Sequence, residues 1–118
     1  MQTVGHVMHR GVITCPPHAR VAAIARTMAA HRIHCVVVPG HGIVTDLELT
    51  VGLDGPAETT AAALARSAPT LVQSETVERA AALMRAARAT HALVVEGGSS
   101  RLVGVLSTLD LANALALR

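Results

Sequence analysis

Two stretches of the chain carry apolar residues at helical spacing. Val21, Ile24, Ala25 and Met28 stand at i, i+3, i+4 and i+7, and Val77, Ala80, Ala81 and Met84 repeat the pattern; that spacing is the buried stripe of an amphipathic helix. A short apolar run follows each, Val36-Val37-Val38 and Leu93-Val94-Val95, and β-branched runs of this length read as buried strands. The two halves align at an offset of 56 through the helices, with Arg10 on Arg66, and at 57 in the strands, placing His34 on His91. Beyond the strands the offset is 62, setting Gly42-Ile43-Val44-Thr45-Asp46-Leu47-Glu48 on Gly104-Val105-Leu106-Ser107-Thr108-Leu109-Asp110. The residues added between these elements are the loop Glu96-Gly97-Gly98-Ser99-Ser100-Arg101, where the first copy has the turn Pro39-Gly40-His41. A fixed period with insertions confined to turns predicts a tandem repeat. Each copy reads strand, helix, strand, hairpin, strand, helix. Residues 1–55 form the first copy and 56–118 the second; Asp54-Gly55-Pro56 marks the junction and residues 57–66 a short helical lead-in.

Half a chain of this length cannot bury both faces of a three-stranded sheet under one long helix. The expected fold is therefore α/β (α+β): two pseudo-symmetric β-α-β-β-α repeats packed through their sheets about a central cleft, which becomes the natural ligand site.

The segment closing each copy carries a second signal. Thr45-Asp46-Leu47-Glu48 and Ser107-Thr108-Leu109-Asp110 follow a strand and open a helix. A hydroxyl residue with an acid three positions on is a capping box, in which the acid reaches back to the cap's own N–H. The same geometry suits a ligand, because the free N–H groups of a helix start attract phosphate and a carboxylate one turn on accepts from ribose hydroxyls.

Composition narrows the chemistry. The 118 residues include no Phe, Tyr or Trp, which excludes the stacking platforms of single-strand and RNA-recognition folds and aromatic cages for cations. A flat ligand must lie against Val, Ile, Leu and backbone. All ten basic residues are Arg, scattered, and the net charge of +2 is too small to mark a nucleic-acid surface. Cys15 and Cys35 have no CxxC spacing and read as free thiols of a reducing cytoplasm. The longest uncharged stretch, residues 33–45, is shorter than a membrane span and contains Pro and Gly. No pair among the seven histidines and two cysteines has zinc-like spacing, and no Ser or Cys has a nucleophile's setting. Arg32 and Arg88 read as surface residues at helix C-termini, within reach of a bound phosphate.

The tandem period resembles the cystathionine-β-synthase (CBS) domain pair over nearly the whole chain. The resemblance rests on Val7-Met8 and Gly11-Val12-Ile13-Thr14 leading in, the helix from Val21 to Met28, Gly42-Ile43-Val44-Thr45 closing the first copy, and the Gly-apolar-apolar-Ser/Thr-x-x-Asp motif, complete in the second copy. It implies a regulatory, non-catalytic module that binds an adenosine-containing ligand, AMP, ADP, ATP or S-adenosylmethionine, in the inter-repeat cleft. The implied site draws on Thr70, Leu71, Thr90, His91, Ala92, Ser107 and Asp110 in the second copy and on Ile13, Thr14, Ile33, His34, Cys35 and Thr45 in the first. In the family the closing Asp holds the ribose, the Ser or Thr contacts ribose or phosphate, and the opening and second strands sandwich the adenine. Glu48 stands where the family has that Asp; one methylene longer, it can fold back into the cap, which favours the second site. The resemblance further implies a homodimer acting in trans on an effector protein with no obligatory cofactor, while composition and spacing lead us to expect a cytoplasmic protein that engages no metal, no membrane and no nucleic acid. Two other readings stand beside it: a ligand-free dimerisation module, and a nucleic-acid-binding regulator.

Overall fold

The computed structural model describes residues 2–118. Its elements, in order, are α1 (Val4–Val7), β1 (His9–Arg10), α2 (Val21–His31), β2 (Cys35–Val38), β3 (Gly42–Thr45), α3 (Asp46–Leu49) continued by a 3₁₀ turn (Thr50–Leu53), α4 (Ala61–Leu64), β4 (Thr70–Val72), α5 (Val77–Ala87), β5 (His91–Val95), β6 (Leu102–Ser107) and α6 (Thr108–Ala116). Both copies have the β-α-β-β-α order, although the first copy's opening strand is reduced to a single parallel bridge, Thr14 to Val37. No helix among the described residues is long and apolar enough to cross a membrane.

The division in space is not the division into repeats at 55/56. One compact unit is Ile13–Ser67; the other joins the described residues up to Val12 with Ala68–Arg118. Each copy's lead-in thus docks on the body of the other copy. In the second unit the sheet order is β1-β6-β5-β4, with His9 opposite Val105 and Arg10 opposite Gly104. The first unit repeats that order in reduced form: Arg66 bridges Ile43 of β3, β3 pairs antiparallel with β2, and Val37 of β2 bridges Thr14.

The lead-ins dock because they complete helix ends. The first N–H of a helix lacks an intrahelical acceptor; the carbonyl of Gln2 accepts from Val77 N–H at 3.2 Å, and that of Thr59 accepts from Val21 N–H at 3.2 Å. Apolar burial adds to this. Val4 joins Met8, Leu71, Ala80, Met84, Ala92, Val94 and Leu106 in one core, while Ala61 joins Cys15, Ile24, Met28, Val36, Val38 and Val44 in the other. With no aromatic ring to fill these cores, the work falls to Ile24 and Met84, the largest fully buried side chains, each worth roughly 1.5–3 kcal/mol of transfer free energy.

Helices α2 and α5 end alike. Arg32 and Arg88 adopt the left-handed conformation, at φ 52° and 50°, while Ile33 N–H reaches Met28 O at 3.0 Å and Ala89 N–H reaches Met84 O at 2.9 Å. This six-to-one closure usually employs glycine.

The pairing corrects the strand alignment. Thr14 faces Val37 and Thr70 faces Leu93, while Cys35 pairs with Thr45 and His91 with Ser107. The helix offset of 56 therefore continues through the second strands, and the counterpart of His91 is Cys35, not His34. The extra residue lies earlier, between lead-in and opening strand. Consequently His9 is the counterpart of Arg66, since both stand opposite the second residue of the closing strand's motif, Val105 and Ile43. Arg10 is not. Run-length matching missed this because consecutive valines slide against one another without penalty; only the hydrogen-bond register fixes them.

Candidate functional site

The glycine opening each motif is dictated by the docked lead-in. A Cβ on Gly104 would lie 2.3 Å from His9 O, and one on Gly42 would lie 2.1 Å from Arg66 O. Only a residue without a side chain lets the lead-in backbone cross there. Downstream, the strand ends at the hydroxyl residue, whose extended backbone ends the ladder and caps the helix.

Around Ser107 the second copy's candidates fall into two groups. Asp110 Oδ2 accepts from Ser107 N–H at 2.8 Å, and Asp110 N–H donates to Ser107 Oγ at 3.2 Å. His91 stands opposite Ser107, and Thr90 O accepts from Thr108 N–H at 2.9 Å, so Thr90, His91, Ser107 and Asp110 converge at one end of the sheet. The Thr90 hydroxyl and His91 Nδ1 are 3.0 Å apart. Thr70 is exposed at the start of β4. Leu71 and Ala92, by contrast, are 2% and 0% exposed, and their side chains belong to the core.

The first copy is arranged differently. Glu48 Oε1 accepts from both the N–H and the hydroxyl of Thr45, at 2.8 and 2.7 Å, and Arg66 Nη1 stands 3.7 Å from Oε2. Like Asp110, Glu48 reaches back to its cap N–H, and it takes the cap hydroxyl as well. Ile13 and Thr14 are exposed, and Ile33 packs against the core of its unit. His34, also exposed, holds Asp46 Oδ2 at 3.0 Å. Cys35 is half-buried, and burial, with the nearby carboxylates of Glu48 and Asp46 adding to it, pushes its thiol up to about 12. Burial also raises the Cys15 thiol. Both shifts make the sulfurs less nucleophilic near neutral pH than an exposed thiol.

Two side chains at these motifs came from outside the sequence reading. His9 Nδ1 lies 3.1 Å from Asp110 Oδ1, and Arg66 covers Glu48; each is supplied by the other copy's lead-in. Nothing local in the sequence pairs them. Each unit also has a surface groove on its helix side, one of about 510 Å³ beside Met28, Arg32, Ile33 and Leu49, and one of about 630 Å³ beside Met84, Arg88, Thr90 and Leu111. Neither of these grooves is lined by Thr45, Ser107 or Asp110. Among the described residues no three His, Cys, Asp or Glu side chains are grouped to hold a metal ion.

The sequence profile of the CBS domain matches residues 4–53 and again 61–117. The chain belongs to the CBS domain family. CBS domain pairs are generally regulatory and non-catalytic. Among solved structures, Hypoxic Response Protein I, described with two coordinated zinc ions, is 25% identical with a TM-score of 0.75, over 97% of this chain and 99% of that one. The CBS domain protein PAE2072 from Pyrobaculum aerophilum, complexed with AMP, is 22% identical with a TM-score of 0.80, over 99% of this chain and 100% of that one. The CBS domain pair of protein MJ0100, in complex with 5-methylthioadenosine and S-adenosyl-L-methionine, is 19% identical with a TM-score of 0.86, over 98% and 97%. The last two likenesses establish the fold alone. Comparison with curated protein sequences found no match.

Proposed function

We propose that this CBS pair is a cytoplasmic regulatory module that binds an adenosine-containing ligand at the second copy's motif and passes that event to an effector protein in trans. The observation that carries the reading is the division of labour within the Asp110 carboxylate. Oδ2 is held by the Ser107 cap, whereas Oδ1 lies outside it, at the positive end of the nine-residue helix α6, where it can accept from ribose hydroxyls. Thr90, His91 and Ser107 supply polar groups at the same end of the sheet, and Thr70 adds one at the start of β4. A phosphate would use the α6 N-terminus, and adenine would rest on aliphatic side chains and backbone. The complexes of PAE2072 with AMP and of MJ0100 with methylthioadenosine and S-adenosylmethionine support this ligand class.

We rank the first copy as the weaker site, because Glu48 takes the Thr45 hydroxyl as well as its N–H and its outer oxygen faces the permanently charged Arg66. Exposed Leu109, Leu115 and Leu117 on and after α6, at 64%, 66% and 83%, support self-association as a homodimer. A ligand-free dimerisation module is the second reading, favoured by both motif acids serving as caps.

With no Trp or Tyr, absorbance of the purified protein in the nucleobase band reports carried-over nucleotide directly, and mass spectrometry names it. AMP and ATP are then titrated against the wild type, Asp110→Asn and Glu48→Gln. The expected result is a loss of affinity in the Asp110 variant only. Equal losses contradict the ranking of the sites, and no thermal shift with any adenine nucleotide leaves the dimerisation module.

A further inference from the structure

We propose that His9, delivered by the first copy's lead-in, is a latch on the ribose-binding oxygen of the second site, so that imidazole and ribose compete for Asp110 Oδ1. This rests on the adenosine-binding reading above. Asp110 is 5% exposed, one of its oxygens is committed to the Ser107 N–H, and His9 Nδ1 stands 3.1 Å from the other. The His9 side chain is itself 77% exposed. The imidazole can therefore swing into solvent without disturbing the core, while Asp110 cannot leave.

The counterpart position makes the latch specific to one copy. Arg66 occupies the place of His9 and approaches Glu48 Oε2 at 3.7 Å. A guanidinium carries a permanent charge toward the carboxylate, whereas the His9 imidazole is a single exposed ring that can turn away. Of the elements packed around His9, α6 contributes Asp110 as its sole ionisable residue and β6 contributes none; His6 of α1 and Arg10 beside it in β1 are the neighbouring basic groups, and His91 lies at the start of β5 opposite Ser107.

The test is isothermal titration of the full chain with adenosine and with AMP. His9→Ala and His9→Gln are both expected to bind adenosine more tightly than the wild type by up to about fivefold, the scale of one exposed polar pair. Circular dichroism checks that both variants are folded. If both variants bind adenosine no more tightly than the wild type, His9 is no latch. If the wild type and both variants bind neither adenosine nor AMP, the ligand reading itself falls and takes the latch with it, an outcome distinct from binding that ignores His9.

Discussion

Replacing Gly42 by alanine puts a methyl carbon into space that is already filled. The new Cβ would sit 2.1 Å from Arg66 O and 2.9 Å from its carbonyl carbon, against backbone that no rotamer change can move, and Gly42 also holds φ at +119°. Relief requires the lead-in to separate from β3, which breaks the reciprocal hydrogen bonds Ile43 N–H to Arg66 O and Arg66 N–H to Ile43 O, both 2.9 Å. Two net backbone hydrogen bonds amount to about 1–3 kcal/mol, and the backbone conformation, unfavourable for any residue with a Cβ, adds about 1–3 kcal/mol. The expected loss is about 2–6 kcal/mol, a large share of a typical domain's ~5–15 kcal/mol. Two other glycines separate the contributions. Gly98 has φ +80° with nothing within 4 Å of an added Cβ, so Gly98→Ala carries only the conformational cost, about 1–2 kcal/mol. Gly104 has no positive φ but would place its Cβ 2.3 Å from His9 O, so Gly104→Ala carries the collision without that cost. Urea titrations followed by far-ultraviolet circular dichroism measure all three, intrinsic fluorescence being silent in a chain without Trp or Tyr. The order Gly42 worse than Gly104 and Gly98 is expected. A Gly42→Ala protein no less stable than Gly98→Ala would refute the claim that the docked lead-in dictates the motif glycine.

Other predictions concern the thiols, the helix ends and the core. Cys35 and Cys15 are both raised from the ordinary thiol value of 9.0, Cys35 to about 12, so the folded state holds their protons longer than the unfolded state and stability falls as pH rises from about 9 towards 12. With no Lys or Tyr in the chain, urea midpoints over this range report the thiols, and Cys35→Ala is expected to flatten the decline. A thiol reagent at neutral pH is expected to label both cysteines far more slowly in the folded protein than in urea; equal rates would contradict their burial. Arg88→Gly relieves a left-handed residue at a helix end and is expected to raise stability by about 1 kcal/mol, read as a higher melting temperature. Met84→Ala is expected to cost about 2–5 kcal/mol, because the residue is 2% exposed and no aromatic neighbour can collapse into the cavity.

The sequence alone determined what is periodic or local. The stripes from Val21 to Met28 and from Val77 to Met84 set two helices of eleven residues, because an apolar face at that spacing has one way to be buried. The Ser107 and Asp110 capping box, and the return of Glu48 onto Thr45, involve atoms three residues apart, so chain chemistry specifies them before any tertiary contact forms. The family and its β-α-β-β-α order followed from these repeats. Tertiary structure decided the rest, through pairings that join distant residues. The lead-ins cross to the opposite copy's body because Gln2 and Thr59 carbonyls meet the free N–H groups of Val77 and Val21, which no local pattern announces. Register, not composition, made Cys35 the counterpart of His91 and placed Leu71 and Ala92 in the core. The same crossing set His9 on Asp110 and Arg66 on Glu48, about a hundred residues apart in one case and eighteen in the other. Such contacts depend on distance in space, and only the fold supplies that distance.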